Sequence, residues 1–164
     1  MRDPGRHWQQ KTLLSTLLLP LSWLFCLLVM VRRQLFRAGF LTIRTLDCPV
    51  IVVGNITVGG TGKTPLVIWL CNTLRAAGYH PGIVSRGYGG QGRCASTRVT
   101  PDSDPRQVGD EPLLLARHTA CPVLVGRDRA AIARALRYEH HCDIILSDDG
   151  LQHWALARDY EVVL

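Results

Sequence analysis

The stretch Val50-Ile-Val-Val-Gly54-Asn-Ile-Thr-Val-Gly-Gly-Thr-Gly-Lys63-Thr64 decides the fold. Its first part, opened by Pro49 and closed by Gly54, is a short β-branched run, the pattern of a buried parallel strand over 49–53. A glycine-rich turn follows, then a helix expected over 65–77 with Leu66, Ile68, Leu70 and Leu74 available for packing. The general phosphate loop reads G-x-x-x-x-G-K-[ST]. Here Thr57 stands at the first glycine position, while Gly62, Lys63 and Thr64 fit, with Gly59 and Gly60 inside the loop. Glycines let successive backbone N–H groups turn inward around phosphate oxygens, and the helix behind presents its free N–H groups and positive end. Thr57, Val58, Gly59, Gly60, Thr61, Gly62, Lys63 and Thr64 are therefore the candidate ATP cradle. Lys63 reaches the β/γ-phosphates and the Thr64 hydroxyl ligates Mg2+. A glycine-rich turn without a ligand is the plain structural alternative.

Downstream, strands and helices alternate. A strand over 80–85 ends in Arg86-Gly-Tyr-Gly-Gly90, a loop at the carboxyl edge, where parallel sheets bind ligands. Arg86 can hold a phosphate there or be an ordinary surface arginine. Residues 91–107 read as one long loop. Gly109-Asp-Glu-Pro112 opens a helix over 113–118. Asp110 as N-cap and Pro112 in the first turn explain that motif structurally. An acid in the mouth of a phosphate site can equally ligate a metal or accept a hydroxyl proton, and on spacing alone the cap is favoured. A strand over 121–125 precedes a helix over 127–139, with Ala131, Ile132, Ala135 and Leu136 facing the core and Arg127, Arg129, Arg134 and Arg137 on a solvated face. Asp143-Ile-Ile-Leu-Ser-Asp148-Asp149 then runs an apolar strand into two carboxylates, as a second, metal-anchoring motif requires. Neither acid can be buried unpaired, so a cation or an N–H cluster is implied. Gly150-Leu-Gln-His153 shares that edge, and His153 can serve the substrate side. A last strand spans 160–164, and a sheet ending there is expected to be incomplete.

Composition supports this α/β reading. Lys and Arg exceed Asp and Glu by six, and the excess is concentrated in the first hundred residues. A basic portion beside an apolar run points to anionic headgroups or a phosphorylated substrate. No compact Lys/Arg stripe with interleaved aromatics supports nucleic acid as a partner. The six cysteines lie far apart in sequence, without a C-x-x-C pair, so structural zinc is not expected and small buried thiols in a reducing compartment are. Residues 13–31 carry no charge, with Lys11 before them and Arg32, Arg33 and Arg37 after. That length is just short of a bilayer core, with Pro20 expected to kink the helix, and either a span or an interfacial helix satisfies it. The expected organisation is a membrane-associated helix and basic flanks over 1–37, a connector over 38–48 and a phosphate-loop nucleotide-binding domain over 49–164. The fold class is a P-loop NTPase-like three-layer α/β sandwich with a mostly parallel sheet, truncated.

Together the anchor, 53–65, Ser85-Arg86-Gly87-Tyr88-Gly89-Gly90, Val108-Gly109-Asp110-Glu111-Pro112 and Ser147-Asp148-Asp149-Gly150-Leu151-Gln152-His153 resemble the tetraacyldisaccharide 4'-kinase family of Gram-negative lipid A synthesis. Thr or Ser at the Thr57 position is usual in that family. The resemblance implies transfer of the ATP γ-phosphoryl group to the 4'-hydroxyl of an acylated glucosamine disaccharide 1-phosphate, giving lipid IVA at the cytoplasmic face of the inner membrane. It implies a catalytic role for Asp110 beside Lys63, and Mg2+ at Asp149, Asp148 and Thr64. Arg86, Glu111 and His153 become substrate-side candidates. Family members run to about twice this length, and their second lobe supplies a histidine that works with the aspartate, so no histidine here takes that role. Two other readings remain: a membrane-associated P-loop ATPase without a sugar acceptor, and an inactive fragment of the kinase.

Overall fold

A computed structural model of the chain describes residues 18–56, 62–87 and 96–164. It divides into two compact units, Met1–Thr42 and Ile43–Leu164. In the first unit, α1 spans Leu19–Arg37, with Pro20 in its first turn. Within the described residues Pro20 therefore starts the helix, where its missing N–H breaks no intrahelical bond, and the expected mid-helix kink is not found. The helix also runs past Val31 through Arg32, Arg33 and Arg37, whose positive charge suits a helix C-terminus. Residues 13–17 of the apolar run lie outside the described residues. Nineteen residues rise about 28 Å, and Leu21, Trp23, Phe25 and Leu28 are all exposed. By length and composition α1 can cross a membrane.

The second unit is built on six strands: β1 (Val50–Gly54), β2 (Pro81–Ser85), β3 (Thr97–Val99), β4 (Val123–Val125), β5 (Ile144–Asp148) and β6 (Tyr160–Val163). Their spatial order is β3-β4-β2-β5-β1-β6, parallel throughout except for β3 against β4. Helices α2 (Lys63–Ala76), α3 (Pro105–Val108), α4 (Asp110–His118) and α5 (Arg129–Tyr138) connect them. The β-branched runs are apolar on both faces because both faces are covered. Val53, Ile83, Val123 and Leu146 pack with Val67 and Cys71 of α2 and Leu113 and Leu115 of α4. Their strand neighbours Val52, Val84, Leu124 and Ile145 point the other way, onto Ile132, Ala133 and Leu136 of α5. The result is the expected three-layer sandwich.

Several local expectations are corrected. The loop expected over 91–107 contains β3 and the start of α3; the short strand forms because Val99 is buried against the core, and Asp104 caps the helix by accepting from the Arg106 N–H at 2.9 Å. Helix α4 begins at Asp110, with Gly109 in the cap position at φ 91° and no side-chain cap, so Asp110 is not the N-cap. In α5 the buried face holds Ala130, Ile132, Ala133 and Leu136, whereas Ala131 is exposed. Its N-cap is Asp128, accepting from the N–H groups of Ala130 and Ala131. That cap fixes the helix's rotation and turns Arg129 inward, so Arg129 is buried and not on the solvated face. Arg137 is half-buried and forks onto Asp47 at 2.9 and 3.1 Å. The cysteines, far apart in sequence, are not all apart in space: Cys71 and Cys121 meet.

Candidate active site

Strands β1 and β5 are neighbours, with Val53 opposite Asp148. The chain leaving β1 turns through α2 towards β2 on one side, whereas the chain leaving β5 passes to β6 on the other. A crevice opens at the carboxyl ends of strands that diverge in this way. Here that edge gathers Gly62, Lys63, Ser85, Arg86, Asp148 and Asp149. Gly62, at φ 79°, is in the left-handed region that a side chain resists, and it turns the chain from the loop into α2. Lys63 is the first helical residue and Thr64, half-buried, the second. The rest of the expected cradle, Thr57, Val58, Gly59, Gly60 and Thr61, lies outside the described residues, as do Tyr88, Gly89 and Gly90.

The two motifs separated by 86 positions converge on one ion pair, Lys63 Nζ to Asp149 Oδ1 at 2.9 Å. Burial works against the Lys63 charge, but Asp149, with Asp148 and Glu111 behind it, holds its pKa above the ordinary value. Asp149 follows β5 at φ 53°, a conformation that aspartate tolerates better than most residues. The turn is held by Gly150, where an added Cβ would collide with Ser147 Oγ and Val52. Asp149 is therefore aimed by a tight turn, whereas Asp148 points into the protein and is 2% exposed. Burial pushes the Asp148 carboxyl up to about 6; Glu111 adds to this, and Lys63 and Arg129 oppose it. Among the described residues its carboxylate accepts one hydrogen bond, a long 3.5 Å contact from Ser85 Oγ.

Beneath this edge lies Arg129. Its Nη1 donates to the Asp148 carbonyl at 2.8 Å, the Val84 carbonyl at 3.2 Å and Ser147 Oγ at 3.3 Å. It ties β2 to β5 where the carboxylates emerge. Burial lowers its pKa to about 10, with Asp148 and Asp149 opposing, and it stays charged at neutral pH. Nothing in the sequence separated Arg129 from the other arginines of its helix. The one usable signal was Asp128, whose capping sets the helical phase. Ser85 was likewise legible only as the end of a strand.

Other candidates sit around this centre. Asp110 and Glu111 are exposed in the first turn of α4. Glu111 is close enough to act electrostatically on both Lys63 and Asp148, which brings the Gly-Asp-Glu-Pro motif to the site. Arg86 is exposed at the end of β2 and acts on Arg129. His153 is half-buried, its N–H closing a turn onto the Gly150 carbonyl at 3.0 Å.

The donor set suits Mg2+, which is bound through one or two carboxylates plus phosphate oxygens and waters, not in an all-protein cage. The described residues contain no group of three or more His, Cys, Asp or Glu placed to hold a metal by themselves. They do contain a buried, weakly hydrogen-bonded carboxylate whose charge a cation would relieve.

The chain is similar to known proteins in sequence and in fold. The profile of the family described as tetraacyldisaccharide-1-P 4'-kinase matches residues 14–164. A tetraacyldisaccharide 4'-kinase of Aromatoleum aromaticum is 58% identical over 164 residues, covering 99% of this chain and 48% of the relative. One from Herminiimonas arsenicoxydans is 56% identical over 160 residues, covering 97% and 45%. The crystal structure of LpxK from Aquifex aeolicus in complex with ATP superposes with a TM-score of 0.79 at 34% identity, covering 92% of this chain and 49% of that one. The chain thus spans about half the length of the curated relatives it matches. On the profile match, the sequence identities and the shared fold, the chain belongs to the tetraacyldisaccharide-1-P 4'-kinase family.

Proposed function

We propose that this chain supplies the ATP- and Mg2+-handling machinery for transferring a γ-phosphoryl group to the 4'-hydroxyl of tetraacyldisaccharide 1-phosphate, giving lipid IVA at the cytoplasmic face of the inner membrane. The observation that carries the reading is the Lys63–Asp149 pair, which unites the phosphate loop and the strand-end carboxylates at one sheet edge. Without nucleotide, Asp149 holds the lysine charged and oriented. When phosphates enter the cradle, Lys63 exchanges the carboxylate for β/γ-oxygens and neutralises charge developing on the transferred group. Mg2+, held by Asp149, Asp148 and the Thr64 hydroxyl, would supply further charge neutralisation on the nucleotide. Asp110, exposed at the start of α4, orients or deprotonates the acceptor hydroxyl, while Arg86, Glu111 and His153 line the substrate side. The exposed apolar surface of α1 keeps the protein at the membrane from which a multi-acyl substrate does not readily leave, since each buried CH2 is worth about 0.8 kcal/mol.

Titrating the chain in detergent micelles with a fluorescent ATP analogue, with and without Mg2+, tests the nucleotide half of this reading. Mg2+-dependent binding weakened at least about tenfold by Lys63→Ala is expected, as loss of a charge-assisted phosphate contact implies. Equal binding by the variant would remove Lys63 from the site.

A further inference from the structure

At the opposite, amino-terminal edge of the sheet a cavity of about 330 Å3 opens between the starts of β2 and β4 and the segment before β5. Its walls include Arg75, His80, Cys121, His140, His141 and Cys142. The described residues of this His- and Cys-bearing cavity do not come together as a metal site. What distinguishes it is a thiol pair. Cys121, half-buried in the wall, has its Sγ 2.7 Å from that of Cys71, a fully buried residue of α2.

We propose that Cys121 and Cys71 form a thiol-modification site, in which Cys121 attacks a low-molecular-weight disulfide of the glutathione type that enters the cavity and Cys71 resolves the adduct into an intramolecular disulfide. The two positions are unequal in the way such chemistry requires. Cys121 lines the cavity, whereas Cys71 is fully buried and is not among the lining residues. The Cys71 hydrogen bond and the nearby Arg75 charge draw the Cys121 thiol below its ordinary pKa, against the effect of burial. Cys71 is driven the opposite way, first by that same bond and then by burial. Burial raises Cys48, and raises Cys142 to about 11, so neither is activated. A thiolate-favoured, accessible cysteine beside a second thiol is the reactive arrangement; a buried apolar cysteine is inert.

The chemistry closes without a further reagent. The Cys121 thiolate attacks one sulfur of the small disulfide; that S–S bond breaks, and the departing thiolate takes up the proton that Cys121 released. Cys71 Sγ then attacks the Cys121 sulfur, expelling the second small thiolate, which takes the Cys71 proton. Two protein thiols are oxidised by two electrons, and the small disulfide is reduced to two thiols. The new bond would tie α2, the helix that carries Lys63, to the entry of β4.

The test uses the whole reduced chain in detergent micelles, incubated with oxidised glutathione, quenched with acid, alkylated and mapped by peptide mass spectrometry. A Cys71–Cys121 cross-link is expected, with Cys48 and Cys142 recovered as alkylated thiols. Cys71→Ser should trap a stable glutathione adduct on Cys121. Cys121→Ser should slow oxidation of Cys71 at least about tenfold. In the unmodified chain, brief iodoacetamide treatment at neutral pH should label Cys121 at least about tenfold faster than Cys142, and this readout needs no variant. Recovery of Cys71 and Cys121 as free thiols after prolonged oxidation, a Cys71 that oxidises at the original rate in Cys121→Ser, or equal labelling of Cys121 and Cys142 would each overturn the proposal.

Discussion

Replacing Arg129 with Met keeps much of the side chain's volume but removes the donor that bridges β2 and β5. Three acceptors, the carbonyls of Val84 and Asp148 and the Ser147 hydroxyl, then lose a partner. The buried Asp148 carboxylate also loses one of the two cations that oppose its upward shift. Breaking a buried charged arrangement from one side costs about 3–5 kcal/mol. Two features bring the expected value to the lower end, about 3 kcal/mol at pH 8. Arg129 Nε and Nη2 have no hydrogen-bond partner among the described residues, so the wild type already carries part of the desolvation cost. Asp148, whose carboxyl sits at about 6, can also escape by taking a proton. At pH 5 that carboxyl is largely neutral, and only the neutral acceptors are lost, leaving a deficit of about 1–2 kcal/mol. Urea unfolding of the whole chain in detergent micelles, followed by tryptophan fluorescence at pH 5 and pH 8, measures both values. A deficit under about 0.5 kcal/mol at pH 8, or one that does not shrink at pH 5, would show that Arg129 is not supporting the carboxylates electrostatically.

Three further expectations use the same structure. A carboxyl raised from 3.8 to about 6 stabilises the fold fully below about pH 4 and loses that contribution as pH rises through 6. Asp148→Asn should therefore make the metal-free protein about 2–3 kcal/mol more stable relative to wild type at pH 8 than at pH 4, and pH-independent unfolding differences would contradict the assignment. Leu136→Ala, which empties a fully buried position between α5 and the sheet, should cost about 2–5 kcal/mol in the same unfolding assay. Asp110→Asn should leave nucleotide affinity within about twofold of wild type while lowering acceptor phosphorylation at least about a hundredfold, the range for a lost acid–base group; a parallel loss of nucleotide binding would instead make it a ligand for ATP.

The sequence was most legible where one constraint dominates. Residues 50–54 are a β-branched run bounded by Pro49 and Gly54, and a strand buried on both faces leaves few other readings. The carboxylates at the end of β5 were placed by the apolar run before them. Less legible was anything set by helical phase. Arg129 is indistinguishable in sequence from Arg127 or Arg134, and only the Asp128 cap, acting through three-dimensional geometry, turns it inward. Asp110 and Gly109 compete for a cap, and the positive φ that glycine tolerates at 109 settled it by moving the helix start one residue upstream. β3 was hidden because its three residues are too short to show alternation; burial of Val99 in the core makes it a strand. The Cys71–Cys121 contact joins positions fifty residues apart by bringing α2 against the segment before β4, which no local pattern encodes.

In the proposed function this site hands a phosphoryl group to a membrane-held sugar and does not merely hydrolyse ATP. The most direct measurement joins the chain after Leu164 to the C-terminal remainder of the Aromatoleum aromaticum relative and supplies γ-labelled ATP, Mg2+ and tetraacyldisaccharide 1-phosphate in mixed micelles. Label should appear at the 4'-position of the disaccharide, with ATP consumption dependent on the acceptor and abolished by Lys63→Ala. Nucleotide binding accompanied by acceptor-independent hydrolysis, with no label on the disaccharide, would contradict the account.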